Sequence, residues 1–296
     1  MAAFNGAVSG MTAVLGVIGD PIEHSFSPQI HNTLAGMCGD DVIYVPFRVE
    51  RATLADAIRG AHALGIAGLN VTSPHKNTVV RHIAGVDGAA KVIGAVNTLK
   101  YTADGYIGYN TDAEGVKHTL LRHGVTAEGK VTAVMGAGGS AAAAAYALAE
   151  MGAAEIRVIN RTHVNALVLA KNLKPQTSAD VKAVPHGRDA FDGTQIIIQT
   201  TTAGFGSLEG QSPVSPGDEP FRDAEFVLDA IYAPWETAFL KEAKKHCAAM
   251  NGFEMLIYQA VAAYEIFTGR SAGSLMETAD NGFADELTQR YINLFT

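Results

Sequence analysis

The sequence predicts an α/β chain of two domains. Three observations point there. Short apolar runs alternate with helical patterns along most of the chain. The alternation comes in two series, and the second opens near residue 130 with a glycine-rich turn between strand and helix. The chain has 296 residues, 48% hydrophobic and 18% charged, a soluble composition long enough for two domains of ordinary size.

In the first series, VLGVIG (14–19) reads as a strand. SPQIHNTLAGMCG (27–39) reads as a helix, with Ser27 as candidate N-cap, Pro28 at the first helical position and Gly39 as the stop. DVIYVPFRV (41–49) is a strand, TLADAIRGAHALG (53–65) a helix, and AGLNV (67–71) a strand. This βαβαβ order predicts a mostly parallel sheet. In the second series, KVTAVMG is a strand, GGSAAAAAYALAEMG a helix and EIRVIN a strand. THVNALVLAKNL follows as a helix, then TQIIIQTT and EFVLDAIYA as strands. Two helical patterns close the chain, GFEMLIYQAVAAYEIFTG (252–269) and ADELTQRYINLF (284–295).

Composition excludes several function classes. A formal net charge of -8 with no Lys/Arg-rich run argues against nucleic acid as a partner. Any anion site must therefore be locally positive. Cys38 and Cys247, the two cysteines, lie too far apart in sequence to read as a disulfide framework or a zinc motif. The ten histidines are scattered, and no metal site is expected. No run reaches the length of a membrane-spanning helix, and the N-terminus lacks a basic leader. A reducing cytoplasm is the expected location.

The second series carries Gly136-x-Gly138-x-x-Ala141, directly after a strand and opening a helix. That context is what a dinucleotide fingerprint requires. Gly136 permits the sharp turn, Gly138 lets backbone approach a pyrophosphate, and Ala141 lets helix pack on strand. Gly136, Ala137, Gly138, Gly139 and Ser140 thus form a candidate phosphate loop in a Rossmann-type domain. The next strand runs into Asn160, Arg161 and Thr162. An acidic residue there would favour NAD, whereas Arg161 attracts a 2′-phosphate, so NADP is expected. A solvated loop charge is the plainer reading of Arg161.

Further stretches add to these. They are GDPIEHSFSPQIHN (19–32), GLNVTSPHKNT (68–78), GAVNT (94–98), GYNTDAEG (108–115), VLDAIYAPWET (227–237) and NGFEMLIYQAVAAYEIFTG (251–269). Together, in this order from about Val14 to Gly269, they resemble the shikimate dehydrogenase family. The resemblance implies a substrate-binding catalytic domain over residues 1–113 and a Rossmann-type NADP domain over 114–250. It also implies C-terminal helices over 251–296 that return to the substrate domain. The implied reaction is reversible hydride transfer between NADP and a hydroxylated cyclohexene carboxylate, in aromatic amino acid biosynthesis. Lys76 and Asp112 match the family's catalytic pair, and Ser25 and Ser27 its carboxylate-binding serines. Thr72, Asn97, Tyr232 and Gln259 match positions that hold the ring hydroxyls or the carboxylate. Thr201, Phe205 and Gly252 complete the implied cofactor set, with Phe205 expected to wall the nicotinamide pocket.

The chemistry of these residue types agrees. Oxidising a secondary alcohol releases a hydride and a hydroxyl proton, and a side chain must take the proton. Lys76 can do so if partial burial disfavours its ammonium form, while Asp112 pulls the other way and orients the pair. Whether Lys76 alone or the pair carries the proton stays open. A surface salt bridge is the plainer reading of both residues. Ser27 can cap its helix, bind a carboxylate, or do both. Gln259 could be an ordinary polar residue on a helix face, and Tyr232 could simply pack. His75 reads as a solvated loop residue, and His24 as packing or hydrogen-bonding within its own loop.

Some positions depart from the family pattern. His163, Val164 and Asn165 stand where a second basic residue often follows, which predicts weaker NADP preference and tolerance of NAD unless His163 and Asn165 partly substitute. Gln199 and Phe205 replace a usual Asn and Met. A quinate or quinate/shikimate dehydrogenase is therefore the alternative, acting on the cyclohexane carboxylate. A non-catalytic NADP-binding regulator is disfavoured by the presence of Lys76 and Asp112. Monomer and homodimer both stay open.

Overall fold

The computed structural model describes residues 8–215, 217–271 and 273–295. Two compact units divide the chain: one runs to Thr111 and includes Leu256–Leu287, the other spans Asp112–Met255 and resumes at Thr288.

The first unit is built on β1 (Ala13–Gly19), α1 (Ser27–Cys38), β2 (Val42–Arg48), α2 (Leu54–Ala63) and β3 (Gly68–Val71). A two-residue β4 (Gly85–Val86), α3 (Gly88–Ile93), β5 (Thr98–Thr102) and β6 (Gly105–Tyr109) follow. The strand order is β2-β1-β3-β5-β6-β4. β1 pairs in parallel with β2 and β3, whereas β5 runs antiparallel to both β3 and β6. The sheet is therefore mixed rather than mostly parallel. The cause is the hairpin β5–β6, whose two-residue loop is Ala103-Asp104, followed by Gly105 at φ 129° opposite Thr102. Its core gathers Ile18, Leu54, Ile58, Leu69, Val71, Val79, Leu99 and Tyr106.

The second unit begins with α4 (Asp112–Arg122), then β7 (Val131–Met135), α5 (Gly139–Glu150), β8 (Glu155–Ile159), α6 (His163–Leu173) and β9 (Asp180–Val184). It continues with β10 (Ile196–Gln199), β11 (Phe226–Asp229), α7 (Ala238–Ala243) and β12 (Ala248–Asn251). All pairings in the order β12-β11-β10-β7-β8-β9 are parallel. The chain leaves β7 to one side through β8 and β9 and returns to build the other, which is the doubly wound dinucleotide-binding order. β10 and β11 are buried at every position, as strands covered on both faces are. A separate core forms here around Met135, Ile159, Phe191, Ile197, Phe221, Val227 and Phe239.

Three helical segments end the chain: α8 (Phe253–Thr268), α9 (Met276–Thr278) and α10 (Ala284–Phe295), with a π-turn over Ala279–Phe283. Glu265 is buried on α8 and accepts the backbone N–H of Gly273 at 2.8 Å and of Leu275 at 2.5 Å. It thereby fixes the chain that leaves α8.

Candidate active site

In open α/β sheets, ligands bind beyond the carboxyl ends of strands where the winding reverses. In the first unit that point lies between β1 and β3. The segment after β1 carries Ser25 and Ser27; the segment after β3 carries Thr72 and Lys76. Main-chain bonds tie the two together: Asp20 N–H donates to Ser73 O at 3.1 Å, and Thr72 N–H to Ile18 O at 3.0 Å. Gly19 permits this approach, because a β-carbon there would stand 2.4 Å from Thr72 Cγ2.

α1 starts at Ser27, with Phe26 at the cap position and no side-chain cap. The expectation that Ser27 caps the helix is thus corrected, and Pro28 occupies the second helical position. Ser25 takes over the local acceptor role, receiving the Ser27 N–H at 3.4 Å. The stop at Gly39 is as expected, with φ 68° and its N–H on Ala35 O. Ser25 and Thr72 are half-buried, and Ser27 is buried.

Lys76 is half-buried, and its carbonyl accepts the Val96 N–H at 2.9 Å. That bond joins the lysine loop to the segment carrying Asn97. His75 beside it is fully buried, not solvated: Nε2 donates to Val49 O at 2.6 Å, pinning the loop to the end of β2. His24, by contrast, is exposed rather than packed in its loop. The apolar residues around His75 in sequence are few, so its burial left no periodic trace.

Asn97 is 2% exposed and is the polar centre of the first unit. Its Oδ1 accepts from Thr111 N–H at 2.8 Å and from the Thr98 hydroxyl at 2.9 Å. Its Nδ2 donates to Thr111 Oγ1 at 3.0 Å and to Gln259 Oε1 at 3.4 Å. The structure thus brings Asn97 and Gln259 together across 162 residues of sequence. Gln259 is buried on α8 and donates Nε2–H to Leu256 O at 2.8 Å, so it is no free helix-face residue. Asp112 opens α4 directly after Thr111 and is buried, 4% exposed.

In the second unit, the carboxyl ends of β7, β8 and β10 carry the cofactor candidates. Gly136 has φ 115°, a region side chains rarely adopt, and its N–H donates to Ile159 O at 2.8 Å. A β-carbon there would lie 2.5 Å from Thr200 Oγ1. At Gly138, the extended cap residue of α5, a β-carbon would meet nothing within 4 Å. The backbone is open there to a ligand atom. Gly139 and Ser140 begin the helix, half-buried like Ala137, and Ala141 is 1% exposed against the sheet. This is an open helix N-terminus on a glycine turn, the arrangement that receives a pyrophosphate.

Asn160 donates Nδ2–H to Thr162 O at 2.9 Å and shapes the turn into α6. Arg161 on that turn is exposed. Unlike Arg188, which pairs with Glu219, and Arg222, which pairs with Asp192, it carries no ion pair among the described residues. Thr162 is exposed, with no side-chain cap bond. These features fit the adenosine end of NADP: a guanidinium without a carboxylate, and no acidic residue at the strand end.

Gln199, buried at the end of β10, accepts the Thr201 N–H and donates Nε2–H to Ala203 O at 3.3 Å. It therefore holds the turn carrying Thr201, with Phe205 further on and exposed. Tyr232 is half-buried, its ring 6.1 Å from that of Phe253. Gly252 is pressed on Ala230, where a β-carbon would come within 2.3 Å of the carbonyl oxygen.

Asp229 at the end of β11 was not singled out by its sequence, although it lies in VLDAIYAPWET. It is fully buried and accepts from Thr237 Oγ1 at 2.5 Å and Ile231 N–H at 3.1 Å. Burial raises its carboxyl to about 6, against the pull of those two hydrogen bonds. An acid closing an apolar strand, two residues before a turn, was the available signal. Among the described residues no cluster of His, Cys, Asp or Glu could hold a metal ion, and no helix is long and apolar enough to cross a membrane.

Comparison with known proteins agrees with this geometry. The model of the shikimate dehydrogenase substrate-binding domain matches residues 17–99. That of shikimate / quinate 5-dehydrogenase matches 120–211, and that of the shikimate 5′-dehydrogenase C-terminal domain matches 252–273. Shikimate dehydrogenase (NADP(+)) of Methanothermobacter thermautotrophicus is 39% identical over 268 residues, 89% of this chain and 93% of the relative. The chain belongs to the shikimate dehydrogenase family. A solved family member in complex with NADP+ is 38% identical, with a TM-score of 0.83 over 95% of this chain and 97% of that one. Shikimate 5-dehydrogenase from Listeria monocytogenes, solved with shikimate and NAD, is 27% identical. Its TM-score is 0.83, over 96% of this chain and 98% of that one.

Proposed function

We propose that the chain is an NADP-dependent oxidoreductase that interconverts 3-dehydroshikimate and shikimate. The observation that carries this reading is the set around Asn97: two amides and a lysine loop joined by hydrogen bonds, in a chain of this family. Neutral amides that both donate and accept suit a substrate rich in hydroxyls. We assign the substrate domain to residues 1–113, the dinucleotide domain to 114–250 and the returning helices to 251–296. A cytoplasmic location goes with this reading.

In this reading Ser25 and Ser27 bind the ring carboxylate through their hydroxyls at the N-terminal end of α1, where the helix dipole favours an anion. Thr72, Asn97, Tyr232 and Gln259 hold the remaining polar groups of the ring. In the oxidation direction, the Lys76–Asp112 pair receives the hydroxyl proton; in the reduction it returns it. NADP, when bound, supplies or accepts the hydride. Gly136, Ala137, Gly138, Gly139 and Ser140 would cradle its pyrophosphate, with Asn160, Arg161 and Thr162 at the 2′-phosphate and Thr201, Phe205 and Gly252 nearer the nicotinamide.

The test is an assay of shikimate and quinate oxidation and of 3-dehydroshikimate reduction, each with NADP and with NAD. Shikimate with NADP should give the highest kcat/KM. A higher value for quinate would move the assignment to the quinate branch, and no turnover of either alcohol would defeat it. Relatives named for NADP favour that cofactor. The missing second base at Asn165 predicts measurable turnover with NAD as well.

A further inference from the structure

Behind the amides that face substrate in this reading lies a row of buried polar side chains with no assigned role. Asn70 on β3 and Thr98 on β5 are direct partners across the antiparallel ladder and are 6% and 0% exposed. Burying an amide and a hydroxyl inside a sheet is unfavourable unless each is hydrogen-bonded. Here the bonds of the Asn70 and Asn97 amides have fixed directions, while the contact between the Thr98 and Thr111 hydroxyls at 3.2 Å can run either way. Asn70 Nδ2 donates to the Asn97 carbonyl oxygen at 3.1 Å and to Thr98 Oγ1 at 3.0 Å. A carbonyl can only accept, so the amide cannot be flipped, and Oδ1 must accept on the other side. The donor is the Tyr44 hydroxyl at 2.8 Å. Tyr44 is 1% exposed and its ring stacks on His31, 4.1 Å between centroids.

The sequence of donors continues toward the pocket. Thr98 receives from Asn70 and gives its own proton to Asn97 Oδ1 at 2.9 Å. The Thr111 N–H at 2.8 Å holds the same oxygen, so the Asn97 amide is also fixed. Its Nδ2 must then donate, and one of its bonds is the 3.4 Å contact to Gln259 Oε1. Gln259 ends the series by donating to the Leu256 carbonyl at 2.8 Å. Along Tyr44–Asn70–Thr98–Asn97–Gln259 both amide orientations are therefore fixed, by the Asn97 carbonyl on Asn70 and by the Thr111 N–H on Asn97, and each bond polarises the next.

We propose that Tyr44, Asn70 and Thr98 are positioning residues that lock the Asn97 and Gln259 amides in the orientation that substrate meets. The inference rests on the functional reading above. With Oδ1 of Asn97 already holding two donors from the protein, the group turned toward a ring hydroxyl is N–H. The long 3.4 Å contact to Gln259 is the one a hydroxyl oxygen can replace. A hydroxyl held there accepts through its oxygen and keeps its proton for another acceptor.

The experiment uses the full chain. Thr98→Val keeps the shape of the side chain but removes both the acceptor for Asn70 and the proton for Asn97. It should raise KM for shikimate about tenfold, as loss of one positioned hydrogen bond does. The kcat value should change less than about threefold, and KM for NADP should not move. Thr98→Ser should restore the wild-type KM. Tyr44→Phe keeps the ring stacked on His31 and should raise the same KM by a smaller factor. Combined with Thr98→Val it should add nothing, because the path is already cut. An unchanged shikimate KM in Thr98→Val, a parallel rise in KM for NADP, or failure of Thr98→Ser to rescue overturns the proposal. Should Thr98→Val not fold, Thr98→Ala decides: a raised shikimate KM with an unmoved KM for NADP supports the proposal, and an unchanged shikimate KM overturns it. Wild-type turnover of shikimate is measured first. Its absence defeats the functional reading and this proposal together, whereas wild-type turnover with unmoved variants defeats this proposal alone.

Discussion

At the scale of single residues, Lys76 owes its place to two bonds that its own side chain does not make. The buried His75 ring anchors the loop to Val49, and the Lys76 carbonyl is tied to Val96. Replacing Lys76 by Ala leaves both anchors intact. In the proposed role it should lower kcat by roughly 10²- to 10⁴-fold, the range for a positioned acid–base group. KM for NADP should stay near wild type, and steady-state kinetics with both substrates varied would show an equal loss of cofactor affinity if the role is misassigned. Asp229 offers a different test. Its carboxyl titrates near 6 in the fold, above the ordinary value of 3.8, so the folded chain holds this proton more tightly than the unfolded one. Its contribution is therefore fully present below about pH 4 and is lost as pH rises through 6. Urea denaturation of the wild type and of Asp229→Asn should show the wild type losing roughly 1–3 kcal/mol relative to the variant between pH 4.5 and 7.5. Parallel stability curves over that range would show that burial does not govern this carboxyl.

At the scale of elements, α5 shows how composition sets packing. Its alanines 143, 144 and 145 are all fully buried, so the helix lies close on its neighbours with side chains of minimal volume. Ala144→Leu should destabilise the chain by about 1–3 kcal/mol through overpacking. The shift in denaturation midpoint would measure it, and a neutral result would mean a void that the buried alanines hide. Helices α1, α2, α5, α6, α8 and α10 were legible in sequence because apolar periodicity and glycine or proline punctuation coincide there. β5 and β6 were not read as strands, since Gly105 and Gly108 dilute the apolar alternation and the short loop Ala103-Asp104 between them is no strong turn signal. Short β4, β12, α3 and α7 offer too few residues for any period to appear. The motif segments were legible for another reason: Ser73-Pro74-His75-Lys76 and Asn110-Thr111-Asp112 break the periodicity that packing alone would require. What those breaks did not reveal was direction. Asn70 and Thr98 looked like ordinary polar residues in strands, and only the ladder register places one against the other.

At the scale of the whole molecule, one apolar core of the described residues lies under β1 and β3 and another under β7 and β10. The substrate candidates Ser25, Ser27, Thr72 and Lys76 on the first unit and the cofactor candidates on the second should then respond to different ligands. NADP at a hundredfold excess over its Kd contributes about 2.7 kcal/mol to whatever structure binds it. For a unit of roughly 150 residues that corresponds to a rise in midpoint of about 5–10 °C. Hydrogen exchange with NADP present should slow amides around Gly136–Ser140 and Arg161, while shikimate alone should slow those around Ser25–Ser27 and Thr72–Lys76. NAD at the same concentration should give a smaller thermal shift, since it brings no phosphate to Arg161. Arg161→Ala should remove that difference: loss of one charge-assisted bond weakens NADP roughly tenfold to a hundredfold, and the two cofactors then stabilise alike. If the variant still discriminates as the wild type does, the 2′-phosphate is read by other residues, and the exposed guanidinium on the α6 turn is only a solvated charge.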